Sequence, residues 1–186
     1  MNKPSNFVDG YQAELVGRDA ALYRLPFGTI FPAAINCATL AMAEGALGAF
    51  VAFTQNRVTR SGAKAASDPV QTIALGEAAA DVAASRVQFI DDWNRLYDLV
   101  EAGHTLTREQ RLVVRRNGVR GVRRAVDAVD RLFMNAGGAA LQQREPLQRF
   151  WRDLHAGMNH MCNVAHPMYQ AYGADLFGLE VDPFGW

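Results

Sequence analysis

The stretch TREQRLVVRRNGVRGVRRAVDAVDRLFMNAGG, Thr107–Gly138, decides the fold. Leu112, Val119, Val126 and Phe133 recur every seven residues, and Val122 and Val129 share their face. That spacing lays one apolar stripe along a helix, the pattern of a helix packed in a bundle. Thr107 followed by Gln110 is a capping box, in which each residue satisfies the other's free backbone N–H at the helix start. Ala136-Gly137-Gly138 ends the helix, since glycine accepts the backbone reversal that other residues resist.

Three more helices follow from the same reasoning. Downstream, Pro146 opens a helix carrying Leu147, Phe150, Trp151, Leu154 and Met158, and a last helical piece spans about Pro167 to Phe177. Upstream, Ser67-Asp68-Pro69 is a cap followed by a first-turn proline. The helix it starts runs to about Glu101, with Gly103 beyond it. Its apolar positions include Val70, Ile73, Val87, Ile90, Trp93, Leu96 and Tyr97. Before that, Pro32 is expected in the first turn of a helix reaching about Arg57. Residues 1–31, with Pro4, Gly10, Gly17, Pro26 and Gly28, form a connector. The expectation is an all-α, up-down four-helix bundle over residues 32–186.

The Pro32–Phe53 stretch is almost wholly apolar or small, broken by Asn36, Thr39 and Glu44. A charge at Glu44 is costly in lipid, and no clean apolar run of about 18 residues exists. A helix buried on all sides, partly against another subunit, accounts for the stretch and for its Ala34, Ala38, Ala41, Gly45, Gly48 and Ala52. A membrane location is not expected.

The 186 residues carry no formal net charge, so no global field draws the chain to nucleic acid. Arg108, Arg111, Arg115, Arg116, Arg120, Arg123, Arg124 and Arg131 crowd one helix but fall on several faces, without the interleaved aromatics that stack bases. They read as a solvated or intersubunit salt-bridged face. Glu101 and His104 have Glu-x-x-His spacing, but a di-metal bundle needs a second copy and two further glutamates. No metal site is expected. Cys37 and Cys162 form no pair or framework and suit a reducing cytoplasm. Cys162 lies beside His160, yet sequence adjacency supplies neither a base nor an electropositive setting, so it reads as a packed thiol.

The segment Pro-Leu-Gln-Arg-Phe-Trp-Arg-Asp-Leu-His-Ala, Pro146–Ala156, following Ala136-Gly137-Gly138, resembles the oxygenase components of two-component flavin-dependent monooxygenases. These belong to an acyl-CoA-dehydrogenase-like group that includes hydroxylases of phenolic steroid breakdown products and of hydroxyphenylacetate. The resemblance runs from Leu25-Pro26-Phe27-Gly28 to Phe177-Gly178. It corresponds to the family's C-terminal helical domain, which an N-terminal helical domain and a β-domain precede. The chain is therefore expected to be one part of a larger flavoprotein, inactive alone.

The resemblance implies an activity and a site. Acyl-CoA dehydrogenases carry a catalytic glutamate after the Arg-Asp helix; here Met158-Asn159-His160-Met161-Cys162 holds no carboxylate. The hydroxylase branch has a histidine at this position, so His160 is implied beside the flavin C4a position and a phenolic substrate. There an imidazole can hydrogen-bond the activated oxygen or take the phenol proton. Arg57 or Arg60 matches the region that grips the flavin phosphate of a neighbouring subunit, and Gly137-Gly138 matches a turn passing close to the cofactor. Met134 stands where dehydrogenases carry a glutamine, which favours FMN over FAD. Implied partners are a separate flavin reductase, an aromatic substrate and further copies of the chain in a homotetramer. An acyl-CoA dehydrogenase-like oxidoreductase and a non-catalytic oligomerisation module are the competing readings.

Overall fold

The computed structural model describes residues 17–181. Six α-helices form among them: α1 (Ala21–Arg24), α2 (Phe27–Gln55), α3 (Pro69–Glu101), α4 (Arg108–Ala136), α5 (Pro146–Met158) and α6 (Ala165–Leu176). The fold is all-α as expected, with six helices where four were counted. Short 3₁₀ turns at 65–67, 138–141 and 161–163 join them.

The stretch that decides the fold is its central element. α4 buries Leu112, Val119, Val122, Val126 and Val129, each at most 2% exposed. It packs against α2, α3, α5 and α6. Its capping box is formed in both directions: Gln110 N–H donates to Thr107 Oγ1 at 3.2 Å, and Thr107 N–H donates to Gln110 Oε1 at 2.8 Å. Asp68 caps α3 by accepting from Val70 N–H at 2.9 Å.

Three expectations need correction. α2 starts at Phe27, so the 31/32 boundary falls inside a helix, with Pro32 in its second turn. Residues before it also belong to the folded body: Ala21 and Leu25 are buried with Leu96, Val100, Leu106 and Val114. The connector's first sixteen residues lie outside the described ones. On α3 the large apolar residues Val70, Ile73, Val87, Ile90 and Tyr97 are exposed, while Ala74, Ala78, Val82 and Ser85 are buried. Small residues win the interior because α3 lies close against α4; a Cβ on Gly121 would sit 3.6 Å from Ser85 Cβ. The arginines of α4, finally, do not form one solvated face: Arg108 and Arg120 are exposed, and the others are wholly or partly buried. Arg115 is buried, Arg116 lies 4.1 Å over the Tyr172 ring, Arg108 pairs with Asp175, and Arg131 pairs with Asp81.

Among the described residues, α2 alone is long and apolar enough by composition to cross a membrane. Its three interruptions have separate uses. Asn36 and Thr39 are buried polar residues, and exposed Glu44 accepts from Arg86 of α3 at 3.0 Å.

Candidate functional site

The Pro146–Ala156 segment mostly fastens α5 to its neighbours. Leu147 and Leu154 are fully buried. Trp151 Nε1 donates to Asp130 Oδ1 of α4 at 2.6 Å, and its ring stacks on Phe133 with centroids 4.6 Å apart. Phe150 fills the space beside Gly45, where a Cβ would lie 2.5 Å from its ring. Arg149 and Arg152 pair locally with Asp153, at 3.6 and 3.9 Å.

His160 follows α5 at the head of a 3₁₀ turn, Met161–Asn163. The turn is anchored by amides that sequence reasoning did not select. Asn163 is fully buried; its backbone N–H donates to the His160 carbonyl at 2.7 Å. Its side-chain Nδ2 donates to the Gly157 carbonyl at 2.7 Å and to Thr39 Oγ1 at 3.5 Å. Asn36 Nδ2 donates to its Oδ1 at 2.5 Å. A carbonyl can only accept, so the Gly157 contact fixes which end of the Asn163 amide is Nδ2. Polar residues of α2 can enter here because the facing helices carry glycine. A Cβ on Gly118 would lie 2.3 Å from Asn36 Oδ1, and one on Gly157 would lie 2.7 Å from Thr39 Oγ1. The one visible sequence signal was the interruption of an apolar helix by Asn36 and Thr39.

Two further contacts set the ring and its surroundings. Cys162 N–H donates to His160 Nδ1 at 3.2 Å, and Arg115 Nη1 donates to the Cys162 carbonyl at 3.2 Å. Phe31 meets the imidazole edge-on, with centroids 6.1 Å apart, and stacks on Phe27 at 5.3 Å. Among the described residues His160 Nε2 has no hydrogen-bond partner. The Cys162 thiol is buried; burial pushes its pKa up, and the charge of Arg115 opposes that only in part. A protonated, packed thiol is not a nucleophile. Burial likewise lowers the Arg115 pKa, with the Cys162 charge acting the other way.

The other expected residues lie at the far end of α2. Arg57 Nη1 donates to the Ala136 carbonyl, its guanidinium lies 5.6 Å from the Phe53 ring centre, and a Cβ on Gly137 would sit 3.6 Å from its Nη2. The structure thus lays Arg57 beside the Gly137 turn. Gly137 has φ 71°, ψ −174°, a conformation essentially reserved for glycine. Gly138 is exposed. Arg60 is not brought in; it sits exposed near the tip of the small loop closed by the Val58–Lys64 bridge. An open cleft of about 490 Å³ adjoins Arg57, lined also by Phe53, Asn56, Gln142, Arg144 and Glu145. Arg24 fastens α1 to the end of α3, donating to the Val100 carbonyl at 2.9 Å.

His160 and Arg57 are not neighbours. Phe31, beside His160, and Phe53, beside Arg57, are separated by 22 residues of one helix, about 33 Å at the helical rise.

Residues 33–164 match the acyl-CoA dehydrogenase C-terminal domain, and the chain belongs to that family. Within it, the chain is 39% identical over 164 residues to the oxygenase subunit HsaA of a flavin-dependent monooxygenase from Rhodococcus jostii (strain RHA1), covering 87% of this chain and 43% of that protein. It is 36% identical over 178 residues to a pigment production hydroxylase of Rhodococcus erythropolis, covering 96% and 45%. The crystal structure of 3-HSA hydroxylase from Rhodococcus sp. RHA1 superimposes with a TM-score of 0.83 at 37% identity, over 94% of this chain and 47% of that one. The chain spans under half the length of these relatives.

Proposed function

We propose that this chain is the helical domain of the oxygenase component of a flavin-dependent aromatic hydroxylase, acting on a phenolic substrate with reduced flavin and oxygen. The observation that carries this reading is the carboxylate-free turn at 158–162, which offers an imidazole nitrogen where a dehydrogenase would need its glutamate. The relatives named as a monooxygenase subunit and as hydroxylases support it.

Reduced flavin, when bound, supplies the electrons and the oxygen-activating chemistry; a separate reductase delivers it. His160 is the catalytic residue, meeting the phenol oxygen or the reacting oxygen through Nε2, with Phe31 as an apolar wall. Arg57 suits a flavin phosphate through its forked donors, with the Gly137-Gly138 backbone beside it and the adjoining cleft as space. Arg60 remains a second cation for the phosphate on its mobile-length side chain. Met134, exposed next to this turn, favours FMN over FAD.

Because about 33 Å of helix separates the two ends, Arg57 of one copy serves the flavin that faces His160 of another. A homotetramer meets this need. Supporting it, α2 exposes Ala34, Ala38, Ala41, Gly48 and Ala52, and the Glu44–Arg86 pair joins that face to the exposed Val87 and Ile90 of α3. The four long helices α2–α5 form the up-down bundle at its centre. A cytoplasmic location, away from membrane and nucleic acid, suits the two free cysteines and the need for reduced flavin.

The test uses the full-length polypeptide with reduced FMN or FAD, oxygen and a panel of phenols. Hydroxylated product is expected, with FMN bound more tightly, and His160→Ala is expected to divert flavin turnover to hydrogen peroxide. Reduction of bound flavin by an acyl-CoA would replace this reading with a dehydrogenase.

A further inference from the structure

Two roles for His160 are compatible with the proposed function: a base that takes the phenol proton, or a donor that holds an oxygen. Cys162 N–H can only donate, so the nitrogen facing it, Nδ1, must present its lone pair. A neutral imidazole with Nδ1 as acceptor carries its single proton on Nε2. The other ring nitrogen is then N–H, with no lone pair to receive a phenol proton.

The geometry points to Asn163 as the positioning residue that imposes this tautomer, making neutral His160 a hydrogen-bond donor rather than a base. The inference rests on the proposed role of His160. Asn163 braces both sides of the turn, through its backbone N–H to the His160 carbonyl and its side chain to the Gly157 carbonyl. Asn36 clamps its remaining acceptor from a helix 127 residues away in sequence. Arg115 holds the next carbonyl, that of Cys162, so the peptide whose N–H meets Nδ1 is flanked by fixed bonds. Rotation of the ring would leave the Cys162 amide without this partner in a part-buried turn, which disfavours it. His160 therefore keeps its Nε2 proton and offers it to an oxygen as a hydrogen-bond donor.

The first measurement is made on this chain alone, with histidine labelled by ¹⁵N, at a pH where the ring is neutral. Long-range proton–nitrogen correlations are expected to show His160 with a pyridine-type Nδ1 and a pyrrole-type Nε2. The reverse tautomer, or the mixture of a free imidazole, overturns the inference. Asn163→Ala is expected to release the ring into such a mixture while the helical circular dichroism persists; a folded variant that keeps the pure tautomer removes Asn163 from the role. If that variant does not fold, Asn36→Ala takes its place, since it removes only the clamp, and it carries the same two outcomes.

In the full-length oxygenase, Asn163→Ala is expected to lower kcat on the order of ten- to hundredfold with KM little changed, as a misplaced catalytic group does. If His160→Gln leaves hydroxylation intact while the tautomer is as stated, the functional reading fails and the positioning stands. If hydroxylation depends on His160 but the tautomer is mixed, the reverse holds.

Discussion

The His160 turn and the Gly137 turn lie at opposite ends of α2 and are held in different ways. The first is built from long-range bonds: Asn36 to Asn163 spans 127 residues, and Arg115 to Cys162 spans 47. The second combines one residue's backbone, Gly137 at φ 71°, with bonds to the carbonyls just before it, from half-exposed Arg57 to Ala136 and from Gln71 to Asn135. A turn fixed from three helices holds one side chain in one orientation. A turn fixed by its own glycine leaves its surroundings open, as the adjoining cleft shows. The first arrangement suits precise chemistry and the second suits gripping a charged, extended group.

Substitutions should separate the two. Gly118→Ala strikes the first turn hardest, because the new Cβ displaces a buried amide with no room to retreat. Overpacking plus a lost buried hydrogen bond should cost about 3 kcal/mol or more, read as a lowered denaturation midpoint. Gly137→Ala should cost about 1–3 kcal/mol, since alanine cannot hold that backbone without strain. Its damage should stay local: amide exchange should quicken around residues 136–141 and not at 157–163. An equal response at both turns would dissolve the comparison.

Arg57→Ala should cost about 1 kcal/mol in stability, the worth of one hydrogen bond to a carbonyl. In the full-length protein it should weaken flavin binding while leaving the His160 tautomer unchanged. The smallest effect concerns Cys162. Its thiol pKa is raised by burial, so above the ordinary thiol value the unfolded chain ionises first and gains stability. The contribution is fully present below that value and drains away as pH rises toward the folded pKa. Alkaline titration of the denaturation midpoint should therefore fall more steeply in the wild type than in Cys162→Ala; parallel curves would remove the effect.

Much of this could be read from the chain itself. The caps at Thr107 and Asp68 and the stripe on α4 involve residues a few positions apart, where local geometry alone decides. Resemblance offered Arg57 or Arg60 and the Gly137-Gly138 turn as separate candidates, and the contact between Arg57 and that turn is a tertiary one. Hydrophobicity does not by itself name the buried face of α3, because it ranks valine and isoleucine above alanine while the partner helix rewards close approach. Pro32 suggested a helix start, yet α2 runs from Phe27 through it.

By itself, then, the sequence determined an all-α chain and its strongest helix ends, because periodicity and capping are short-range properties, while His160 and Arg57 or Arg60 were put forward by resemblance alone. Only the tertiary structure decided that Asn36, Asn163 and Arg115 converge on the His160 turn, that its Nδ1 is taken, and that Arg57 lies a helix length away. Those facts depend on which helix faces which, and a buried hydrogen bond between residues 127 apart leaves no periodic trace in the chain that makes it.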